Sequence, residues 1–399
     1  MDGSLNMMSI TVEQFTDEIE MQLEEGNYNP MFGLGKPGVG KTMSIAELCK
    51  KRGIGFCELR LVTLTEVDML GIPVIENGRT TYASNALLPD EKRDGEEGIL
   101  VLDEITSCSS TIRAAAYQLL DSKRSLGNYK LPTRWKVICL GNGASDGGVF
   151  TGMESAFMSR CMCFRIEPDV DCWKKWALEN GVNPAIPAFI TFDRSAFHKM
   201  NPDEIASIFP CPRSWVALST LLNAREKYRG RVLDEPEVLL LASGAIGMEV
   251  APAFAVFYRF KENTSIDPEA VLKGQAVKSV GQIGDRKFKC TDDLSTAESQ
   301  VMYLGIQSVA KALAEKLKKF SITASDASQK PCIEATVNVC KWILAIASYR
   351  KDYAITAAQD IARIKEFASI IISSELFDEM LPEWTDFSAE NASVLFGGR

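Results

Sequence analysis

The first part of the chain alternates short apolar runs with stretches of helical period, and the later part shows helical period alone. The runs at 31–34, 55–64, 98–102, 135–140 and 161–166 have few polar interruptions, the pattern of strands buried on both faces. Between them, 41–51 and 110–122 read as helices. Upstream, Thr11-Val12-Glu13-Gln14 has the capping-box pattern, with Ile10 and Phe15 placed as a hydrophobic staple. A helix is expected from there to Gly26, and a turn at 27–30. Strands that alternate with helices predict an α/β domain, a parallel sheet sandwiched by helices, ending near Pro168.

From Val170 the pattern predicts helices alone, at 171–180, 187–192, 203–209, 212–227, 235–247 and 251–262. The stretch 263–293 is rich in turn residues and is expected to be a linker or an irregular insertion. Beyond it Met302, Ile306, Val309, Leu313 and Leu317 recur at helical spacing. Val337, Cys340 and Leu344 do the same, and later Ile361, Ile364 and Ala368. A loose polar tail is expected over 389–399. The expected organisation is an α/β domain at 1–168, an all-helical lid at 169–262 and a mostly helical C-terminal region at 263–399. The role of that last region is open, and its short basic runs at 286–289 and 316–319 are most simply solvated faces.

Composition narrows the function. The chain is 46% hydrophobic and 24% charged, which is ordinary for a globular protein and excludes dominant disorder. Its net charge of −9 makes it a poor candidate for broad, sequence-blind nucleic-acid binding. No apolar run reaches the ~18 residues of a membrane span. The first ten residues are polar and carry no apolar signal core, so a cytoplasmic location is expected. The 11 cysteines run from Cys49 to Cys340 without disulfide spacing, which fits that compartment. Cys161 and Cys163 are the one close pair and His198 the one histidine, too few ligands for a zinc site. A Ser-His or Cys-His hydrolase is disfavoured for the same want of histidine.

The sharpest chemical signal is Gly35-Lys36-Pro37-Gly38-Val39-Gly40-Lys41-Thr42, which satisfies G-x-x-x-x-G-K-[ST] between an expected strand and an expected helix. Glycines let the backbone wrap closely, so that its N–H groups point at phosphate oxygens. The helix N-terminus adds a positive dipole end. Lys41 is placed to reach β- and γ-phosphates, and Thr42 to offer a hydroxyl to Mg²⁺. About 60 residues later, Ile99-Leu100-Val101-Leu102-Asp103-Glu104 reads as a buried strand that delivers two carboxylates at its C-terminal end. That edge is where ligands bind in open α/β sheets. Asp103 would then belong to the Mg²⁺ shell, and Glu104 would orient and polarise the attacking water.

With these residues in place the sequence resembles the AAA+ ATPases, P-loop NTPases, and within them the MoxR-like, dynein-related branch, over residues 15–213. Gly33–Thr42 is similar to that branch's phosphate loop, with Gly35, Pro37, Gly38, Val39, Gly40, Lys41 and Thr42 at the nucleotide. Leu102-Asp103-Glu104-Ile105 resembles its Walker B strand. Cys139-Leu140-Gly141-Asn142-Gly143 is similar to the sensor 1 segment, with Asn142 as the sensor. Phe157-Met158-Ser159-Arg160-Cys161 resembles the arginine-finger helix end, where Arg160 would reach a neighbouring subunit's γ-phosphate. Pro212-Arg213-Ser214-Trp215 resembles the start of the sensor 2 helix, with Arg213 reporting whether phosphate is bound. Two hairpins are expected, at 71–82 around Asn77-Gly78 and at 124–131, and in ring-forming relatives such hairpins face the central pore.

The resemblance implies ATP and Mg²⁺ as cofactors, ATP hydrolysis, and a homo-oligomeric ring, a hexamer by likeness. It further implies remodelling or activation of a protein partner, for which a von Willebrand A domain protein is one candidate. Past Gly247 nothing is shared with that branch. Two other readings stand beside this one. One is an AAA+ motor for nucleic acid, a restriction-type translocase or helicase loader, which the net charge of −9 disfavours. The other is a nucleotide-gated scaffold with little turnover, which could dispense with Glu104.

Overall fold

The central apolar runs of the first part, at Met31–Gly35, Glu97–Asp103 and Arg134–Gly141, form strands buried nearly throughout. A computed structural model describes residues 7–83, 86–143, 155–201, 208–259, 266–275, 282–283, 286–287, 296–318, 320, 326–348, 350–373 and 381–392. The first segment begins with strand β1 (Met8–Ile10) and helix α1 (Val12–Glu24), the latter closed by the Thr11–Gln14 capping box. Next come β2 (Met31–Gly35), α2 (Lys41–Arg52), β3 (Gly55–Arg60) and α3 (Glu66–Leu70). The hairpin β4 (Ile72–Glu76) and β5 (Arg79–Ala83) turns at Asn77-Gly78, whose φ values of 52° and 72° are those of a type I′ turn. Then follow α4 (Glu91–Asp94), β6 (Glu97–Asp103), α5 (Ser110–Leu120), and the short hairpin β7 (Ser125–Leu126) and β8 (Tyr129–Lys130). β9 (Arg134–Gly141), α6 (Ser155–Met158) and β10 (Met162–Ile166) complete the set.

Six strands make one sheet in the order β1-β10-β2-β9-β6-β3, every pair parallel. Alternate residues serve opposite faces. Met31, Ile99, Val101, Ile138 and Leu140 pack with Phe15, Ile19, Ile45 and Leu48 of α1 and α2. Phe32, Leu34, Leu100, Leu102, Val137 and Cys139 pack with Ile112, Ala116 and Leu119 of α5. The expected sheet sandwiched by helices is therefore what forms. β1 was not expected: two of its three residues are exposed, and it is held by backbone pairing to β10.

The described chain divides into two compact units. One holds Met1–Asp169 with Cys211–Arg213, and the other holds Val170–Lys199, Ile208–Pro210 and Ser214–Arg399. The second unit is helical: α7 (Val170–Glu179), α8 (Ala185–Phe192), α9 (Pro212–Arg229, its first two residues in the other unit), α10 (Glu235–Ile246) and α11 (Ala251–Arg259). It continues with α12 (Pro268–Leu272), the short pair β11 (Gln282–Ile283) and β12 (Arg286–Lys287), α13 (Thr296–Leu317), α14 (Asp326–Ala347), α15 (Lys351–Ala362), α16 (Lys365–Ser373) and α17 (Pro382–Glu390).

Most of the residues expected as lid lie in this unit with those expected as C-terminal region, and α13 serves both. Its Leu304 enters the cluster of Phe189, Trp215 and Phe254, while its Met302, Ile306 and Leu313 enter that of Val337, Trp342 and Ile361. A buried polar knot adds to this. Asp360 of α15 pairs with Lys174 of α7 at 2.7 Å, accepts from Gln307 of α13, and pairs with Arg363.

Three expectations change. The stretch 263–293 contains a capped helix, α12, with Asp267 accepting from the Glu269 N–H. Ile361, Ile364 and Ala368 do not share a helix, since the chain breaks between α15 and α16 while Ile361, Ile364 and Phe367 stay in one apolar cluster. The expected tail begins inside α17, whose Trp384 and Phe387 are buried. The helix expected at 203–209 falls largely on residues 203–207, outside the described residues.

Candidate nucleotide site

Sheet order explains the site. β9 lies between β2 and β6, so three adjacent strands end side by side at Gly35, Gly141 and Asp103. The loop after β2 carries Lys41, the residue after β9 is Asn142, and Glu104 follows β6. Lys41 and Asn142, 101 positions apart, and Thr42 and Asp103, 61 apart, thus meet at the C-terminal edge of one sheet.

The loop from Gly35 to Gly40 wraps before α2, with φ of +76° at Gly38 and +100° at Gly40, values that L side chains rarely adopt. A Cβ on Gly38 would also lie 2.5 Å from the sulfur of Cys211. The buried Lys41 Nζ donates to Gly35 O at 2.6 Å, Lys36 O at 2.9 Å and Asn142 Oδ1 at 3.0 Å. Thr42 Oγ1 donates to Asp103 Oδ2 at 3.0 Å, and the Glu104 N–H donates to Asp103 Oδ1 at 2.8 Å. Pro37 and Val39 complete the loop, Val39 being buried against the α1–α2 face. A hydroxyl beside a carboxylate at this edge is a hard-oxygen donor set suited to Mg²⁺.

Glu104 takes φ +59°, left-handed backbone that is strained for a side chain of this kind and recurs at functional sites. Its Oε1 lies 3.9 Å from Nε of Arg60 at the end of β3, whose register partner on β6 is Asp103. Thr106 was not singled out from the sequence. It is fully buried, and its Oγ1 accepts the Asn142 N–H at 3.1 Å. A Cβ on Gly141 would stand 2.5 Å from the Thr106 methyl, so the small residue before Asn142 makes room for the side chain that holds it. Both Arg60 and Thr106 could have been found from strand pairing, which sequence motifs do not give.

Arg213 reaches the loop through its backbone: its N–H donates to Gly38 O at 3.0 Å while its side chain is exposed. Arg160 is not brought to the loop of its own chain. Its Nε donates to Asp121 Oδ1 at 2.5 Å and its NH1 to Ala156 O. Both expected hairpins form, and they touch: Asn128 donates to Thr81 Oγ1 and, at 3.4 Å, to Tyr82 O. β4 leaves Ile72 and Ile75 exposed, Ile75 at 82%.

A family model described as AAA domain (dynein-related subfamily) matches residues 30–161. No curated protein matches the sequence. Among solved structures, an inferred ATPase from Cytophaga hutchinsonii is similar at 15% identity over 57% of this chain and 79% of its own, with TM-score 0.31. RuvB from Thermotoga maritima, in a form carrying one substitution, is similar at 12% identity over 68% of this chain and 77% of its own, TM-score 0.33. A second Thermotoga maritima RuvB structure, described as a Holliday junction branch migration motor, stands at 14%, 68%, 78% and 0.32. No helix among the described residues is long and apolar enough to cross a membrane.

Proposed function

We propose, from the AAA domain (dynein-related subfamily) that residues 30–161 match, that the chain is an AAA+ ATPase and hydrolyses ATP as a cytoplasmic ring protein of MoxR-like type. It would use the cycle to remodel or activate a partner protein, for which a von Willebrand A domain protein is one candidate. The ring would be a homo-oligomer, most simply a hexamer. The two touching hairpins, with Ile72 and Ile75 exposed, would face its pore.

One observation carries the reading. Lys41, Thr42, Asp103 and Asn142 are linked by hydrogen bonds at one sheet edge, with Glu104 bonded to Asp103 through its peptide. The same donors fit ATP with Mg²⁺, which when bound would supply the phosphoryl group and a neutralising charge. The loop at 35–42 would hold the phosphates, with Lys41 at the β- and γ-positions. Thr42 and Asp103 would hold the metal. Glu104 would accept the proton of the attacking water, and Asn142, anchored by Thr106, would fix that water's place. Arg213 would report phosphate from the lid helix, and Arg160 would stabilise charge in a neighbouring subunit's site.

The test compares two substitutions. Lys41→Ala is expected to abolish tight ATP binding, because the phosphates lose their cation. Glu104→Gln is expected to bind ATP normally and to stop turnover, because the cradle is intact and water activation is lost. Equal loss of binding in both would contradict the assigned roles.

A further inference from the structure

We infer that Asp121 is a positioning residue for Arg160, holding its guanidinium in the pose from which it acts on a neighbouring subunit's nucleotide. This rests on the reading of Arg160 as a finger supplied in trans. The backbone of Arg160 is already anchored. Phe157, three residues earlier, is fully buried, with its ring edge-on to Phe32 at 5.0 Å and beside Tyr117 at 5.4 Å. The Arg160 N–H donates to Phe157 O at 3.0 Å. Phe32 lies on β2, the strand that leads into the phosphate loop, and Tyr117 on α5.

An anchored backbone does not fix a guanidinium at the end of a long side chain that is 34% exposed. Asp121 does, by accepting from Nε at 2.5 Å, while Ala156 O accepts from NH1. Nε is the inner edge of the planar fork, so this grip leaves outer amine hydrogens for a phosphate. Asp121 is itself held. It is the C-cap of α5, with ψ 164°, and its carbonyl accepts the Arg124 N–H at 2.9 Å in the turn that opens β7. The end of α5, the start of a hairpin and the cation thus meet at one residue, the hairpin through its carbonyl and the cation through its carboxylate. Among the described residues the grip on Arg160 is made through Nε and NH1, and NH2 has no protein acceptor.

The experiment measures kcat, KM and binding of a non-hydrolysable ATP analogue in full chains carrying Asp121→Ala, Asp121→Asn, Arg160→Ala, or Asp121→Ala with Arg160→Ala. Asp121→Ala is expected to keep analogue binding and KM within about twofold and to lose roughly 10- to 100-fold in kcat, the scale of a misplaced reacting group. Asp121→Asn still accepts from Nε and is expected to lose less. The double variant is expected to be no slower than Arg160→Ala. Mixing Asp121→Ala with Lys41→Ala chains is expected to restore activity, since Lys41→Ala subunits lend an intact finger to an intact cradle. Unchanged kcat in Asp121→Ala beside a slow Arg160→Ala would overturn the inference. So would a further loss in the double variant, or no recovery in rings shown to be mixed. Normal turnover by Arg160→Ala would overturn the finger reading itself, and this inference with it.

Discussion

Thr106 touches the segment after β9 in two ways, through a hydroxyl that accepts the Asn142 N–H and a methyl packed where Gly141 lacks a side chain. Thr106→Val keeps the shape and strands a partly buried N–H, a loss of about 1 kcal/mol where no other acceptor replaces it. With Asn142 displaced, turnover is expected to fall by about tenfold, which corresponds to about 1.4 kcal/mol in the barrier. Thr106→Ser keeps the acceptor and is expected to stay near the unaltered rate. Steady-state kinetics on the two variants checks this, and equal rates for Val and Thr would remove Thr106 from the site. At this scale the sequence was most informative where chemistry demands a fixed spacing, as from Gly35 to Thr42 or at Asp103-Glu104. It was silent on Thr106 and Arg60, whose roles depend on which strand lies beside which. The left-handed backbone at Glu104 is equally invisible in a string of letters, since it follows from how the chain leaves β6.

Among the elements, β9 carries a fully buried cation. Lys136 Nζ donates to Gln22 Oε1 at 2.7 Å, Asn27 O at 3.1 Å and Asn29 O at 2.6 Å, tying α1 and its following turn to the middle of the sheet. Burial pushes the Lys136 pKa down from 10.5 to about 8, against a smaller opposing pull from Glu18. Between those values the unfolded chain holds a proton that the folded chain has released. This group therefore favours the folded state increasingly as pH rises from about 8 to 10.5. Denaturant midpoints measured across that range should show the rise, and Lys136→Met should remove it. An identical pH profile in the two proteins would contradict the assignment. The central strands were legible because burial on both faces leaves continuous apolar runs. β1 was not, since two of its three residues face outward and only pairing with β10 makes it a strand. The break between α15 and α16 was hidden because apolar spacing continues across it: Ile361, Ile364 and Phe367 serve one cluster.

In the molecule as a whole, Asp360 of the helical unit is fully buried and paired with the buried Lys174. Asp360→Ala leaves that ammonium without its carboxylate and is expected to cost about 3–5 kcal/mol of stability. Adding Lys174→Met should return much of the loss, and a denaturant series on the three proteins decides it. ATP with Mg²⁺ should also drive assembly, because a site shared between subunits couples nucleotide binding to oligomerisation. Sedimentation that finds a monomer at every ATP and protein concentration would contradict this. The claim at the centre, a ring whose sites are completed by Arg160 from the next subunit, is tested most directly by mixing. Arg160→Ala chains keep a cradle and lack a finger, whereas Lys41→Ala chains keep the finger and bind ATP poorly. Each alone is expected to be inactive. Mixed rings bring an intact cradle against an intact finger at some interfaces, so ATPase activity should partly return. If it stays at the level of the separate proteins in rings demonstrated to be mixed, Arg160 does not act in trans.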